Sequence, residues 1–390
     1  MRPRFEIRRL QTVSTVLALA LFIVLTTVIA PSAHAQTFKS LYSFAGPPDG
    51  ATPYGDVIRD KSGTLYGTTL AGGDGYGTIY KLKKGKDTVL YSFTGSSDGA
   101  EPFGGLVMDK KGTLYGTTAF DGSGYGTVFA LSSSGTLTVL YSFSGGSDGA
   151  EPFSGLTMDS NGNLYGTTLA GGASGDGTVF KVNIKSKKET VLHSFAGGSD
   201  GAEPLYGRLL MDKSGNLYGT TVGGGSTSNG TVWKLTPKGK ETVLYAFTGT
   251  PDGTGVFEQS LAMDTKGNLY GTTEDGGTSG FGTVFEVNIK TKKEKVLYSF
   301  TDGADGGFPS SGITRDSKGH LYGACQTGGA NQEGVVFEVT GKKETVLHSF
   351  DGTDGANPFT SPLLDVSGTL YGVSYQGGTN NYGTVYSIKP

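Results

Sequence analysis

Short apolar runs alternate with polar, glycine-rich segments along the whole chain after residue 36. The runs carry β-branched and aromatic side chains, as in GLVMD at 105–109, LYGTT at 114–118 and TVLHSF at 190–195. Such runs favour β-strands, and Gly, Asn, Asp and Ser between them favour tight turns. No stretch after residue 36 shows sustained helical periodicity. The pattern therefore predicts an all-β protein of many short strands.

The strand pattern repeats seven times. The triplet Leu-Tyr-Gly recurs at intervals of 49 to 53 residues, beginning at Leu65, Leu114, Leu164, Leu217, Leu269, Leu321 and Leu370. Each copy also contains an apolar run ending in Asp, a run like GTVF and a run like LYSF, in constant order. Four strands in a unit of about 50 residues, repeated seven times, predict a seven-bladed β-propeller with four antiparallel strands per blade. An open β-solenoid is the alternative.

The two ends of the repeat region complement each other. The segment 38–44 reads as a fourth strand without its blade, and the chain ends on a third strand at 383–389. We therefore expect the N-terminal strand to complete blade seven and close the ring, which also limits exposed strand edges. The predicted blades are 55–93, 104–143, 155–195, 207–247, 260–300, 312–350, and 361–389 together with 38–44.

Residues 1–35 have the layout of a secretory signal peptide. Four arginines precede an uncharged, mostly apolar run at 12–30, and Ala33-His34-Ala35 offers a small-x-small cleavage site before Gln36. The run is also near the length that spans a bilayer, so an uncleaved N-terminal anchor is the alternative. Either way, we expect a secreted, periplasmic or cell-surface protein with one domain at 36–390.

Composition narrows the possible partners. The chain has 67 glycines, 20 tyrosines and 21 phenylalanines, and the aromatics distinguish it from a disordered glycine-rich linker. Its formal net charge of −3 gives no reason to expect nucleic acid or an anionic membrane. Cys325 is the single cysteine, which excludes an intramolecular disulfide and a cysteine-based metal cluster.

The ordered motifs carry a family resemblance. The run GNLYGTT, a glycine loop, GTVF and TVLHSF at 162–195 resembles the GloVer-type tandem repeat of exported bacterial "choice-of-anchor" proteins, over essentially all of the chain after residue 36. Family members often carry a C-terminal anchoring segment after the repeats, whereas this sequence ends at Pro390. The resemblance implies an exported propeller-like protein and transfers no catalytic residue.

The joint between blades is nearly identical in three copies, SDGAEPF at 97–103 and 147–153 and SDGAEPL at 199–205. Only Asp-Gly is common to all seven joints, which indicates a tight turn. The optional glutamates Glu101, Glu151 and Glu203 are candidate ligand-binding residues on the face that the joints share with the glycine loops. Two carboxylates three residues apart also leave calcium as a weak alternative, although no dense acidic loop is present. No other cofactor is expected.

A unique site must break the repeat, so departures from it are the other candidates. Arg208 and Asp56 replace the usual glycine at the start of an inner strand, and Glu258 and Gln259 stand beside the matching position of blade five. Trp233 replaces Phe in GTVF. We predict a ligand-binding site from Arg208, Glu258, Gln259 and Trp233, with the three joint glutamates.

Other aromatic and histidine residues have both a structural and a functional interpretation. The aromatics after the joint proline form either a collar for sugar rings or packing between blades; they are Tyr54, Phe103, Phe153 and Phe359. The histidines His193, His320 and His348 occupy Tyr or Asn positions of the repeat, which favours structural roles. They belong to different motifs and assemble no catalytic constellation.

Three functions remain open at this point. The favoured one is a non-catalytic binding or scaffolding module of the cell envelope, with a polysaccharide or protein ligand. The alternative is a propeller hydrolase or lyase with a site at the channel mouth near Arg208, Glu258 and Gln259. A purely structural repeat protein is the third.

Overall fold

Residues 36–390, except 122 and 257–259, are described by a computed structural model. They form 29 strands and one short 3-10 helix, Gly198–Asp200. Seven antiparallel sheets hold four strands each, and the extra strand β2 (Gly50–Pro53) joins the first blade. The predicted seven-bladed β-propeller is confirmed. Nothing in this described part is a helix long and apolar enough to cross a membrane, and the predicted signal peptide lies outside it.

Every blade runs from a short strand at the central channel to a long strand at the rim. The first strands are β3 (Ile58–Arg59), β7 (Val107–Met108), β11 (Thr157–Met158), β15 (Leu210–Met211), β19 (Ala262–Met263), β23 (Thr314–Arg315) and β27 (Leu363–Leu364). The second strands are β4 (Leu65–Gly72), β8 (Leu114–Thr118), β12 (Asn163–Thr168), β16 (Leu217–Thr221), β20 (Asn268–Thr273), β24 (Leu321–Cys325) and β28 (Leu370–Ser374).

The outer half of each blade consists of two longer strands. The third strands are β5 (Thr78–Lys83), β9 (Thr127–Leu131), β13 (Thr178–Asn183), β17 (Thr231–Leu235), β21 (Thr283–Asn288), β25 (Val335–Thr340) and β29 (Thr384–Lys389). The fourth strands are β1 (Thr37–Ser43), β6 (Lys86–Ser92), β10 (Leu137–Ser142), β14 (Glu189–Ser194), β18 (Glu241–Ala246), β22 (Glu294–Ser299) and β26 (Lys343–Ser349).

The N-terminal strand closes the ring as predicted. Strand β1 pairs antiparallel with β29, from Thr37 opposite Lys389 to Ser43 opposite Thr384, so the seventh sheet has the order β1-β29-β28-β27. Phe44, just after β1, is fully buried and donates its backbone N–H to Gly383 at 3.0 Å. The first and last parts of the described chain therefore share one blade.

The hydrophobic core lies between the blades. Seven buried clusters each combine residues of two neighbouring blades, because consecutive strand residues point to opposite faces of a sheet. In blade four, Val232 packs toward blade five, and Trp233 packs toward blade three. The alternating Val and aromatic residue of the GTVF motif thus serves two interfaces at once.

The glycine and the last threonine of LYGTT recur for structural reasons. Gly271 lies opposite Phe285, and a Cβ at Gly271 would come within 2.6 Å of the ring. The last Thr or Ser of the motif exchanges a hydrogen bond with the Thr of the third strand in six blades, at 2.7–2.9 Å. In blade six, fully buried Cys325 and Val335 replace that pair. Cys325 is therefore an apolar substitute at a core position.

Candidate functional site

One aspartate organises each joint between blades. Asp98 accepts hydrogen bonds from the Tyr91 hydroxyl at 3.0 Å and from the Thr94 backbone N–H at 2.9 Å. An equivalent contact with a Tyr or His recurs at all seven joints, made by Asp49, Asp98, Asp148, Asp200, Asp252, Asp305 and Asp354. Gly99 has φ +109°, and a Cβ there would collide with Thr118. Asp-Gly therefore forms the structural turn that the sequence predicted.

The glutamate of the joint occupies a left-handed backbone position. Glu101 has φ +53°, donates its N–H to the Tyr76 carbonyl at 3.0 Å and accepts the Ala119 N–H at 3.1 Å. These bonds tie the joint to the glycine loops of two blades, on one face of the ring. The same position has positive φ in all blades, at Thr52, Glu101, Glu151, Glu203, Gly255, Phe308 and Asn357. The backbone does the joining, so the joint itself does not need the glutamate carboxylates.

The three histidines hold structural places in the repeat. His193 and His348 take the Tyr position and contact the joint aspartates Asp200 and Asp354 at 3.2 and 2.7 Å. His320 takes the Asn position and lies 3.0 Å from the Asp316 carboxylate. Each imidazole thus reproduces a contact that a neighbouring blade makes with another side chain.

Aromatic side chains gather where the joints meet the central channel. We call this group the mouth; it consists of Tyr54, Phe103, Phe153, Tyr206, Phe359 and Tyr375. Tyr206 packs against three of the other rings, with ring centroids 5.1 Å from Phe153, 5.5 Å from Tyr54 and 5.6 Å from Phe103. Phe153 is buried, whereas the other rings are partly exposed. The four aromatics that follow the joint prolines therefore lie together at the mouth, where their rings pack against one another.

Two of the predicted glutamates act on the mouth electrostatically. Burial and the charges of Glu101 and Glu151 raise the pKa of the Tyr206 hydroxyl, and burial raises the pKa of Glu101. Glu203, the third glutamate of the arc, is exposed. The mouth therefore combines aromatic faces, tyrosine hydroxyls and two nearby carboxylates.

Directly below the mouth, the inner strands form a narrow ring that we call the waist. Its positions are Asp56, Gly105, Gly155, Arg208, Ser260, Gly312 and Ser361. Gly105 abuts Asp56, and Arg208 crosses glycine positions to donate from Nη2 to the Leu106 carbonyl at 2.8 Å. The Ser361 N–H donates to Asp56 Oδ1 at 2.9 Å. The structure thus brings together the two charged departures that the sequence singled out.

The waist separates two cavities. The cavity on the mouth side has a volume of about 30 Å³, which is room for one or two waters. The cavity on the opposite side has a volume of about 240 Å³ and is lined by the partly exposed Ile58 and Leu363 among others. Asp56 and Arg208 line both cavities.

The waist charges are desolvated by the surrounding protein. Burial raises the pKa of Asp56, while the attraction of Arg208 and the bond from Ser361 lower it. Burial also lowers the pKa of Arg208, and Asp56 opposes that shift. Opposite charges in a low-dielectric setting attract strongly, and each needs a partner to offset its lost hydration.

The structure corrects one predicted site residue, and two others lie outside the described residues. Trp233 is fully buried between blades three and four, so it is not available to a ligand at the mouth. It replaces a core phenylalanine and fills the same space. Glu258 and Gln259 lie outside the described residues.

The sequence interpretation missed Tyr206. Four positions separate Pro204 from Arg208, whereas three separate Pro102 from Gly105, so blade four has one extra residue at the mouth. Tyr206 takes φ +40°, and Gly207 N–H bonds to the Leu205 carbonyl at 2.6 Å. The longer spacing was the signal available in the sequence, together with Leu205 in place of the phenylalanine that follows the joint proline in blades two and three.

No metal-binding group is assembled in the described part of the chain: no three His, Cys, Asp or Glu residues there come close enough to hold an ion.

The repeat architecture has a counterpart among known families. The chain matches the Gloeobacter/Verrucomicrobia repeat over residues 26–211 and again over 205–390. The chain belongs to this family. No curated protein matches it. This match confirms the family resemblance indicated by the repeated motifs.

Solved structures show the same fold at low identity. The extracellular domain assigned to a hybrid two-component system of B. thetaiotaomicron has a TM-score of 0.61 and 13% identity, over 90% of this chain and 39% of that one. The chain thus spans about two fifths of that domain's length. Oligogalacturonate lyase from Vibrio parahaemolyticus has a TM-score of 0.53 and 12% identity, over 92% of this chain and 94% of the lyase. At these identities the likeness shows the propeller fold alone.

Proposed function

We propose that this chain is an exported, non-catalytic binding or scaffolding module of the cell envelope, with its ligand bound at the mouth. The observation that carries the proposal is the cluster of six aromatic rings at the mouth, in which Tyr206 lies near Glu101 and Glu151. The expected ligand is an envelope polysaccharide or protein. The signal-like residues 1–35 support secretion or surface display.

The chemistry of the mouth suits such a ligand. Partly exposed rings offer faces for sugar rings or apolar side chains, and tyrosine hydroxyls and carboxylates offer hydrogen bonds. Large aromatics placed at the centre of a surface dominate binding in many interfaces. An extracellular domain among the similar folds is in keeping with this use of the fold.

Screening the purified protein against glycans and envelope extracts tests the proposal. Saturable binding without turnover is expected, and Tyr206→Ala should weaken it by about tenfold or more, or 1.4 kcal/mol. The matched control is Tyr382→Ala, which removes an exposed tyrosine from blade seven. Equal loss in both variants, or no loss in either, would exclude the mouth.

The same screen separates binding from catalysis. Product formation that disappears in Glu258→Gln would replace the binding module by a hydrolase or lyase at the channel mouth. Absence of any ligand and any product would leave the structural repeat protein as the better account.

A further inference from the structure

The waist holds two opposite charges that do not touch. Asp56 and Arg208 attract each other, yet they are not among the ion pairs within 4.0 Å in the described part of the chain. Within the described residues, their side-chain hydrogen bonds go to backbone groups: the Ser361 N–H donates to Asp56, and Arg208 donates to the Leu106 carbonyl. Most charged groups that are removed from water lie against a charged partner. Here each charge instead faces the channel.

The space beside these charges is asymmetric. The cavity on the mouth side holds only one or two waters. The cavity on the opposite side has a volume of about 240 Å³ and is bounded by the partly exposed side chains of Ile58 and Leu363. A molecule with several carbon atoms therefore fits on the side away from the mouth.

We propose that this lower channel is a second binding site, which takes a small zwitterion with an apolar side chain, such as an aliphatic amino acid. The ligand carboxylate pairs with the Arg208 guanidinium, which suits a planar, two-oxygen partner. The ligand ammonium pairs with the Asp56 carboxylate. Its side chain lies against Ile58 and Leu363.

The charge arrangement excludes simpler ligands. An anion would meet Asp56 as well as Arg208, and a cation would meet Arg208 as well as Asp56. Like-charge contacts in a desolvated site cost more than they do in water. A ligand with both charges satisfies both groups and leaves neither buried without a partner. Ser260 and Ser361 add hydroxyl groups at the same level.

This site is independent of the proposed function. The mouth rings and the lower channel lie on opposite sides of the waist, and their lining residues overlap at the waist itself. A failed glycan screen therefore says nothing about the lower channel, and failure of the zwitterion leaves the mouth unaffected.

Titration calorimetry with three probes tests the proposal on the full chain. L-leucine carries both charges, leucinamide lacks the carboxylate, and 4-methylpentanoate lacks the amine. We expect saturable binding of L-leucine, with each analogue at least tenfold weaker. Arg208→Gln and Asp56→Asn should each weaken L-leucine at least tenfold, whereas Glu101→Gln at the mouth should leave its affinity within twofold.

Several results would overturn the site. They are no binding of L-leucine at 10 mM, equal binding of all three probes, or unchanged L-leucine affinity in both waist variants. Melting curves show whether each variant is folded. If Arg208→Gln does not fold, Asp56→Asn and the two analogues still decide, because each removes one of the two predicted charge contacts.

Discussion

The joints at the rim and the waist around the channel occupy the same seven blades but follow opposite rules. At the joints, an Asp accepts from a Tyr or His in every blade, and a left-handed residue follows two positions after the glycine. At the waist, the seven positions carry three glycines, two serines, one Asp and one Arg. The joint performs a task that each blade needs once. The waist has a single channel to line, so its seven residues are free to differ.

This difference separates structural residues from candidate chemistry. Variants at repeated positions should lower stability and leave binding per folded molecule intact. Variants at the mouth and waist should weaken binding and leave stability intact, because their side chains face cavities.

Removing the closing strand should have the largest effect. Deletion of residues 36–44 takes away the β1–β29 pairing and fully buried Phe44, whose side chain alone contributes about 3–5 kcal/mol. It also exposes the edge of β29. We expect loss of the cooperative melting transition in circular dichroism, or a melting temperature lower by more than 10 °C, by the roughly 1 °C per kcal/mol expected at this length.

A chain that begins at Gln36 is the control for this deletion and should melt like the full chain. An unchanged melting temperature after deletion of 36–44 would contradict ring closure by the N-terminal strand.

Filling a repeated glycine should have the next largest effect. In Gly271→Ala the new Cβ would lie 2.6 Å from Phe285 Cζ and 2.9 Å from Leu261 Cδ2, so the inter-blade core must shift. Such overpacking costs about 1–3 kcal/mol in denaturant unfolding. Gly146→Ala is the matched control, since the nearest atom there is 3.6 Å away and its φ is not positive. Equal stability of the two variants would refute the packing role of LYG.

Two buried tyrosines, one on a third strand and one on a second strand, allow a smaller, two-directional test. The buried Tyr80 hydroxyl has no hydrogen-bond partner among the described residues, whereas the Tyr218 hydroxyl donates to Asp212 at 3.0 Å. Tyr80→Phe should therefore be neutral or stabilising, by up to about 1 kcal/mol, and Tyr218→Phe should destabilise by about 1 kcal/mol. Chemical unfolding of the two variants measures the sign of each change in the free energy of unfolding. A destabilised Tyr80→Phe would show that its hydroxyl has a partner.

The fold was predictable from sequence because its determinants recur seven times. The strand order, the closing strand and the Asp-Gly turn each follow from spacing and residue type. Arg208 and Asp56 were found because they break a repeat whose geometry places them at the channel. Trp233 also breaks the repeat, but on the inter-blade face of a third strand, where a larger ring only fills the core. Tyr206 enters by an insertion, and its position at the mouth depends on tertiary packing.

A second repeated feature at the rim was not visible in the sequence. Five fourth strands place an acid near the aspartate of the preceding joint; the acids are Asp87, Glu189, Glu241, Glu294 and Glu344. Each has a buried carboxyl oxygen without a hydrogen-bond partner among the described residues. Burial, followed by the charge of that joint aspartate, raises the pKa of each acid to about 7. Leu137 and Phe38 take this position in the other two blades.

The smallest predicted effect concerns one of these acids and depends on pH. Glu294 faces Asp252, which also accepts from Tyr245. The pKa of Glu294 is about 7 in the folded state and near 4.5 in the unfolded state, so the folded protein holds the proton more tightly. Its contribution to stability is complete below pH 4.5 and is lost as the pH rises through 7. Glu294→Gln carries no charge, so its melting temperature should match the parent at pH 5 and exceed it by about 1 °C at pH 8.

Exposed Glu203→Gln is the control and should show no such trend. A Glu294→Gln difference that stays constant between pH 5 and 8 would mean that this carboxyl titrates normally, and that the rim acids add nothing beyond solubility.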